Sequence, residues 1–261
     1  MPSAPSSPGG SLVAVGAGIK LGLHLTEETR AEIRRADDVF YLFGEVAPSA
    51  WIHRLNPAAR SMIESYRVDR DQREIYEELV EAALAPVRIG RRVCMVTYGH
   101  PAVFDDACHE AVRRARAEGH RARVLPAVSA MDCLFADLEV DPGRSGLQLF
   151  EATDFLERRR APDVSVPLIL WQITVIGRTR TTDRIDRAGL EALAERLIER
   201  YGAEHEVVVY EASPFPIGGA TILRVRLRDL AGADVPGLAS LYVPAAAAFE
   251  PGSARVSGTR P

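Results

Sequence analysis

The sequence predicts an α/β fold in two lobes, and three observations carry that expectation. Up to Leu125, short apolar runs alternate with segments of helical period, the order that builds a parallel sheet from βαβ units. After Pro126 the strands are shorter and follow one another through turns, which suggests a mixed sheet. At the centre, the apolar run 93–98 delivers a corner, Tyr98-Gly99-His100-Pro101-Ala102-Val103-Phe104, into a helix opened by Asp105 and Asp106. A strand that stops at Gly and Pro before a helix N-terminus is where open α/β sheets bind ligands, although an ordinary strand-to-helix turn has the same spacing. The expected division is a tail over 1–10, lobes over 11–125 and 126–245, and a second tail over 246–261.

In order along the chain, residues 11–15 form a first strand running into Gly16-Ala17-Gly18-Ile19-Lys20-Leu21-Gly22. This misses the dinucleotide fingerprint. Its third glycine falls one residue late, and Asp37 and Asp38 precede the second strand, 39–43, instead of following it. The glycines still ask for a tight turn or a close approach to the backbone. A helix opens at Thr26 between these strands. Ile75, Leu79, Ala83 and Val87 give the next helix its apolar stripe, up to Pro86 and Gly90. Arg70, Arg73, Tyr76 and Glu77 share one flank of it; Tyr76 borders the stripe, and its bland reading is a half-buried core aromatic beside solvated arginines. Strand 121–125 ends at Pro126, and a helix begins at Val128-Ser129-Ala130, with Ser129 able to cap it or to face a ligand. Asp141-Pro142-Gly143 is a turn. Strands follow at 147–150 and 167–173, a helix at 188–201, and strands at 206–210, 221–227 and 238–243.

Composition excludes several classes. The chain of 261 residues is 47% hydrophobic and 26% charged, ample for a core. A net charge of −4 leaves no electrostatic footprint for nucleic acid. No apolar run reaches the roughly 18 residues that cross a bilayer, and the opening MPSAPSSPGG lacks the regions of a signal peptide. Cys94, Cys108 and Cys133 lack paired-ligand spacing and read as reduced thiols of a cytoplasmic protein. No metal site is expected: His100 and His109 have no partner spacing, and the hydrolase, zincin, P-loop and EF-hand signatures are missing.

The segments VAVGAGI, YGHPAVF, LPAVSAMDCLFADL, YEASPF and LYVP, with FEATDFL and WQ between them, resemble the tetrapyrrole-methylase family of S-adenosylmethionine-dependent methyltransferases. Within that family the chain is most similar to the methyltransferase domain of borosin peptide α-N-methyltransferases. The likeness runs from about Ser11 to Pro244. It implies the two-lobed class III methyltransferase fold, with S-adenosylmethionine, and afterwards S-adenosylhomocysteine, in an inter-lobe cleft. Carried over residue by residue, the cofactor touches Tyr98, His100, Val103, Phe104, Ser129, Ala130, Gln172, Ala212, Ser213, Val243 and Pro244. Gly16 and Gly18 line the substrate side, and Tyr66, Tyr76 and Tyr98 match the tyrosines that act on the substrate amide.

One departure stands out. The arginine that usually precedes the second of those tyrosines by four residues is Gln72 here; Arg73 lies one residue later and Arg70 two earlier. A one-residue shift turns a helical side chain by about 100°. The resemblance implies transfer to backbone amides of a precursor peptide. An amide lone pair is held in resonance, so the acceptor must become imidate-like. A tyrosinate lowered by a neighbouring arginine is the expected base, and Tyr and Arg donors the expected oxyanion hole. The tail after Pro244 has no Val/Ile-rich core, so the precursor is expected in trans, with the enzyme a homodimer. The alternatives are a small-molecule methyltransferase of the same family, acting on a tetrapyrrole or secondary metabolite, and a silent partner subunit that binds the cofactor or a peptide.

Overall fold

A computed structural model describes residues 9–20, 22–43, 46–182 and 184–246. The expected tails fall outside the described residues, apart from residues 9, 10 and 246. The chain divides into two compact units. The first runs to Leu138 and is rejoined by Arg178–Asp183 and Ala212–Ala220; the second holds Glu139–Gly177, Arg184–Glu211 and the chain from Thr221.

In the first unit, β1 (Ser11–Gly16), α1 (Glu27–Arg35), β2 (Asp38–Leu42), α2 (Val46–Leu55) and β3 (Ala59–Ser61) lead to a 3₁₀ turn at Ile63–Tyr66. Then come α3 (Gln72–Arg88), β4 (Arg92–Thr97), α4 (Asp106–Ala117), β5 (Arg121–Val124) and α5 (Ala130–Asp137). The strands form a wholly parallel sheet in the order β3-β2-β4-β1-β5. Their alternation sorts the core. Leu12, Ala14, Phe40 and Met95 face Ile75, Leu79 and Ala111 of α3 and α4. Val13, Val15, Tyr41 and Val96 face Ile33 and Ile52 of α1 and α2. Helices on both faces explain why these strands are apolar throughout. β1 leads away through α1 on one face and β4 leads to β5 through α4 on the other, so the strand order reverses between β1 and β4.

Two features of this unit were not read from the sequence. Pro86 lies inside the last turn of α3, which continues to Arg88. The segment 178–182 returns to the loop before α3: Asp69 N donates to Thr181 O at 3.0 Å, Gln72 N to Thr179 O at 3.0 Å, and Thr181 N to Arg70 O at 3.0 Å. The last strand of the first sheet ends at Val124, and the first unit continues to Leu138 before the chain enters the second.

The second unit contains α6 (Pro142–Ser145), β6 (Gln148–Glu151), α7 (Ala152–Glu157), β7 (Leu168–Trp171) and α8 (Arg187–Tyr201). β8 (Glu206–Glu211), β9 (Thr221–Arg226), a 3₁₀ segment (Leu227–Gly232) and β10 (Ser240–Val243) complete it. The sheet order is β6-β7-β10-β8-β9, parallel only at β6 and β7, which matches the mixed sheet expected. Phe155, Leu190, Leu193 and Leu197 pack on its inner face.

Candidate active site

The carboxyl ends of β1 and β4 meet through glycine. Ala17 N donates to Thr97 O at 2.8 Å, and Gly18 and Gly99 exchange backbone hydrogen bonds of 3.2 and 3.0 Å. A Cβ on Gly16 would stand 2.0 Å from Gly99 O, and one on Gly18, whose φ is +70°, 2.2 Å from His24 Cβ. Packing of loop on loop therefore explains both glycines, and both are buried.

The corner beyond is held by its own polar groups. His100 Nδ1 accepts from Ala102 N at 3.0 Å, and Val103 N donates to His100 O at 3.0 Å. Phe104 has a φ of +54° and keeps 46% of its surface exposed. A left-handed, non-glycine aromatic is a backbone that its surroundings must enforce, and such residues gather at functional sites. Asp105 follows as the N-cap of α4, accepting from Cys108 N at 2.9 Å.

These elements enclose a cavity of about 300 Å³ lined by Leu42, Ile63, Tyr66, Tyr76, Thr97, Tyr98, Phe104 and Asp105. The three expected tyrosines thus share one wall. The arginines do not join them. Arg70 turns away, pairing with Glu78 at 2.8 Å and donating to Ser65 O at 3.2 Å. Arg73 is exposed. In their place Gln72 Nε2 donates to the Tyr76 hydroxyl at 2.7 Å.

The electrostatics do not supply the lowering that a tyrosinate base needs. Burial pushes the Tyr66 phenol well above its ordinary value, with Tyr76 and Asp105 adding to the shift. Burial also raises Tyr76, and Asp106 and Asp105 outweigh the hydrogen bond from Gln72. Both are neutral donors near pH 7. Asp105, which was read only as helix-opening acid, is the lining residue that sequence reasoning missed as a site group. Its spacing gave an acid at a helix start, and nothing in the spacing placed the carboxyl in a cavity. Burial raises its pKa against the pull of hydrogen bonds from Cys108 and Thr97.

A second cavity of the same unit, about 310 Å³, is lined by Lys20, His24, Asp132, Cys133, Ala212 and Ser213 among others. Beside it Ser129 is committed to a capping box. Its Oγ lies 2.8 Å from Asp132 Oδ2 and 3.3 Å from Asp132 N, and its own N–H donates to Asp132 Oδ2 at 2.6 Å. Ala130 is the first residue of α5. A larger hollow, about 490 Å³, lies at the opposite, amino edge of the sheet around Ser11, Arg92 and Arg121. Much of its charge is already matched, Arg35 and Arg123 by Glu32 and Arg92 by Asp37.

In the second unit Gln172 ends β7 with a φ of +57°. β10 runs antiparallel to β7 and β8, with Val243 opposite Leu168 and Ser240 opposite Tyr210. Val243 and Pro244 therefore lie at the far end of the sheet from Gln172, where Pro244 O is 3.0 Å from His205 Nε2. Register places Ala239 and Ser240, not Val243 and Pro244, at the end that holds Gln172. The register thus separates Val243 and Pro244 from Gln172. Among the described residues no group of three or more His, Cys, Asp or Glu side chains could hold a metal, and no helix is long and apolar enough to cross a membrane.

The chain is 34% identical over 249 residues to a methyltransferase/ribosomally synthesized cyclic peptide gymnopeptides precursor of Gymnopus fusipes, covering 94% of the chain and 59% of the relative. It is 35% identical over 250 residues to the methyltransferase/ribosomally synthesized cyclic peptide omphalotin A precursor of Omphalotus olearius, covering 94% and 60%. The chain thus spans about 60% of the length of these relatives. In fold it is similar to uroporphyrin-III-C-methyltransferase from Thermus thermophilus, with a TM-score of 0.63 at 22% identity over 92% of this chain and 93% of that one. It is also similar to a cobalt precorrin-4 methyltransferase, with a TM-score of 0.64 at 18% identity over 90% and 95%. The family profile of the tetrapyrrole (corrin/porphyrin) methylases matches residues 11–231, and the chain belongs to that family.

Proposed function

We propose that this chain is an S-adenosylmethionine-dependent methyltransferase that methylates backbone amide nitrogens of a precursor peptide borne on a separate chain. The observation that carries the reading is the cavity in which Tyr66, Tyr76 and Tyr98 converge. The names of the fungal relatives, which join a methyltransferase to a cyclic-peptide precursor, support the substrate class. A homodimer in the cytoplasm belongs to the same reading.

The residues present fit the cofactor. Tyr98 and the exposed ring of Phe104 offer π faces to a cation. His100 and Ser129 spend polar atoms on holding their turns, which leaves Val103, Ala130 and Ala212 as small apolar wall. We assign the cofactor to Tyr98, His100, Val103, Phe104, Ser129, Ala130, Ala212 and Ser213 of the first unit. When bound, it supplies an electrophilic methyl group on a sulfonium. The chain's own task is to hold the acceptor nitrogen about 3–3.5 Å from that carbon and to polarise the amide. With Gln72 donating to the Tyr76 oxygen, the Tyr76 proton is left to point at an acceptor carbonyl. Tyr66, neutral and mostly buried, is a second donor for the same oxygen.

Gln72 also favours a less demanding acceptor as a second reading. Where a neutral amide backs the tyrosine, an amine or electron-rich carbon of a small molecule needs no imidate. Mass spectrometry of the purified chain incubated with S-adenosylmethionine and a Val/Ile-rich peptide decides between them. Successive methyl increments on backbone amides are expected; an unmodified peptide beside a methylated small metabolite establishes the second reading.

A further inference from the structure

We propose that Asp105 is the group that takes the acceptor's proton. The inference rests on the reading of the site as an amide N-methyltransferase and adds the base that this chemistry requires.

The argument starts from what the cavity offers. Of its described lining residues, four carry titratable side chains: Tyr66, Tyr76, Tyr98 and Asp105. Tyr66 and Tyr76 hold their protons more firmly than an ordinary phenol, so they stabilise charge on an oxygen and do not collect a proton from nitrogen. Neither Arg70 nor Arg73 lines the cavity to change this. Asp105 is the lining acid. Its place is fixed twice over, by the cap on Cys108 N at 2.9 Å and by the left-handed Phe104 immediately before it. It lines the same cavity as Tyr66 of the 3₁₀ turn and Tyr76 of α3, and its charge raises the pKa of both. Asp106, Cys108 and His109 of α4 lie beside it, with His109 favouring the ionised form.

A carboxylate is a weak base for an unperturbed amide, but not for an amide already committed to transfer. As the new N–C bond forms and the S–C bond of the sulfonium breaks, the N–H electron pair stays with nitrogen and the proton passes to Asp105. The positive charge of the sulfonium and the negative charge of the carboxylate are discharged together. The products are a tertiary amide, a neutral thioether and a protonated Asp105 that returns its proton to water. Burial strengthens this base relative to an exposed aspartate.

Asp105 also caps α4, so the test must separate the two roles. Asn and Ser both cap helices well, and Asp105→Asn and Asp105→Ser should both fold and bind S-adenosylhomocysteine by calorimetry with unchanged affinity. Under single-turnover conditions each is expected to lose roughly 100-fold or more in transfer rate, the usual share of a positioned base. Each should also lose the acidic limb of the wild-type pH profile. Without any ligand, carboxyl-labelled NMR of the wild type should show one aspartate titrating above the exposed range, and that signal should vanish in Asp105→Asn. A wild type that methylates peptide amides while both variants match its rate overturns the inference alone. A wild type that methylates no amide overturns the functional reading and the inference with it.

Discussion

At the scale of single residues, the decisive contact is between Gln72 and Tyr76. The hydrogen bond of 2.7 Å fixes which way a neutral phenol points, a task an arginine could perform with charge as well. Gln72→Leu keeps the helix propensity and the bulk but leaves the phenol oxygen without its donor. Such a bond contributes about 1 kcal/mol, so transfer should slow by roughly fivefold to tenfold. The loss should appear in kcat with little change in KM for the peptide, because the bond orients a donor without gripping the substrate. Steady-state kinetics on the variant decide it, and an unchanged kcat removes Tyr76 from the oxyanion site. The tyrosines were legible as a group because the resemblance supplied their places. Asp105 was not, since a cap and a base have the same signature in a sequence.

At the scale of elements, the two edges of the first sheet do different work. The carboxyl edge carries the glycine turns and the cavity. The amino edge is stitched by ion pairs: Asp38 with Arg60 at 2.7 Å and with Arg91, and Asp37 with Arg92 at 2.7 Å. Asp37 also accepts from Arg92 N at 2.9 Å, locking the start of β2 to β4. The Arg92 side chain and backbone together hold its pKa down to about 2. A depressed carboxylate contributes stability above its unfolded value, and that contribution is lost as pH falls through the folded one. Asp37→Asn should therefore unfold at a slightly lower urea concentration near pH 7, and the gap should close as pH falls from the ordinary carboxylate range toward about 2. Because the pair is solvent-facing, the gap should also shrink in high salt. Urea midpoints along a pH series check this, and a gap that persists at the acid end assigns the effect to shape instead of charge. Most strands and helices were legible because each carries its own period and stops. The strap 178–182 was not: the Arg70 N to Thr181 Oγ1 bond of 3.0 Å joins residues 111 apart, and no local pattern reports such a partner. The separation of Val243 and Pro244 from Gln172 has the same origin, since register, not order, decides which residues of two strands lie at one end.

At the scale of the whole molecule, each unit has its own buried cluster, and Tyr66 and Tyr76 pack against that of the first. Phe155, Leu168 and Leu197 are fully buried in one, Ile75, Leu79 and Leu84 nearly so in the other. The other proposed site residues sit on turns and helix starts at sheet ends, one of them, Phe104, in left-handed backbone. That backbone costs of order 1–3 kcal/mol, and a ligand that requires it in the folded state shifts the folding equilibrium. If S-adenosylhomocysteine binds the native chain and not the unfolded one, as the proposed function requires, then at 100 times its dissociation constant it should stabilise folding by about 2.7 kcal/mol. A Tm that climbs steadily with the logarithm of its concentration is the expected result in a thermal melt. Free homocysteine and adenosine together, at the same concentrations, should move the Tm far less, since linking them is what brings both halves to the site at once. A melt that ignores the linked thioether removes the cofactor from the site, and with it the methyl donor on which the proposed reaction depends.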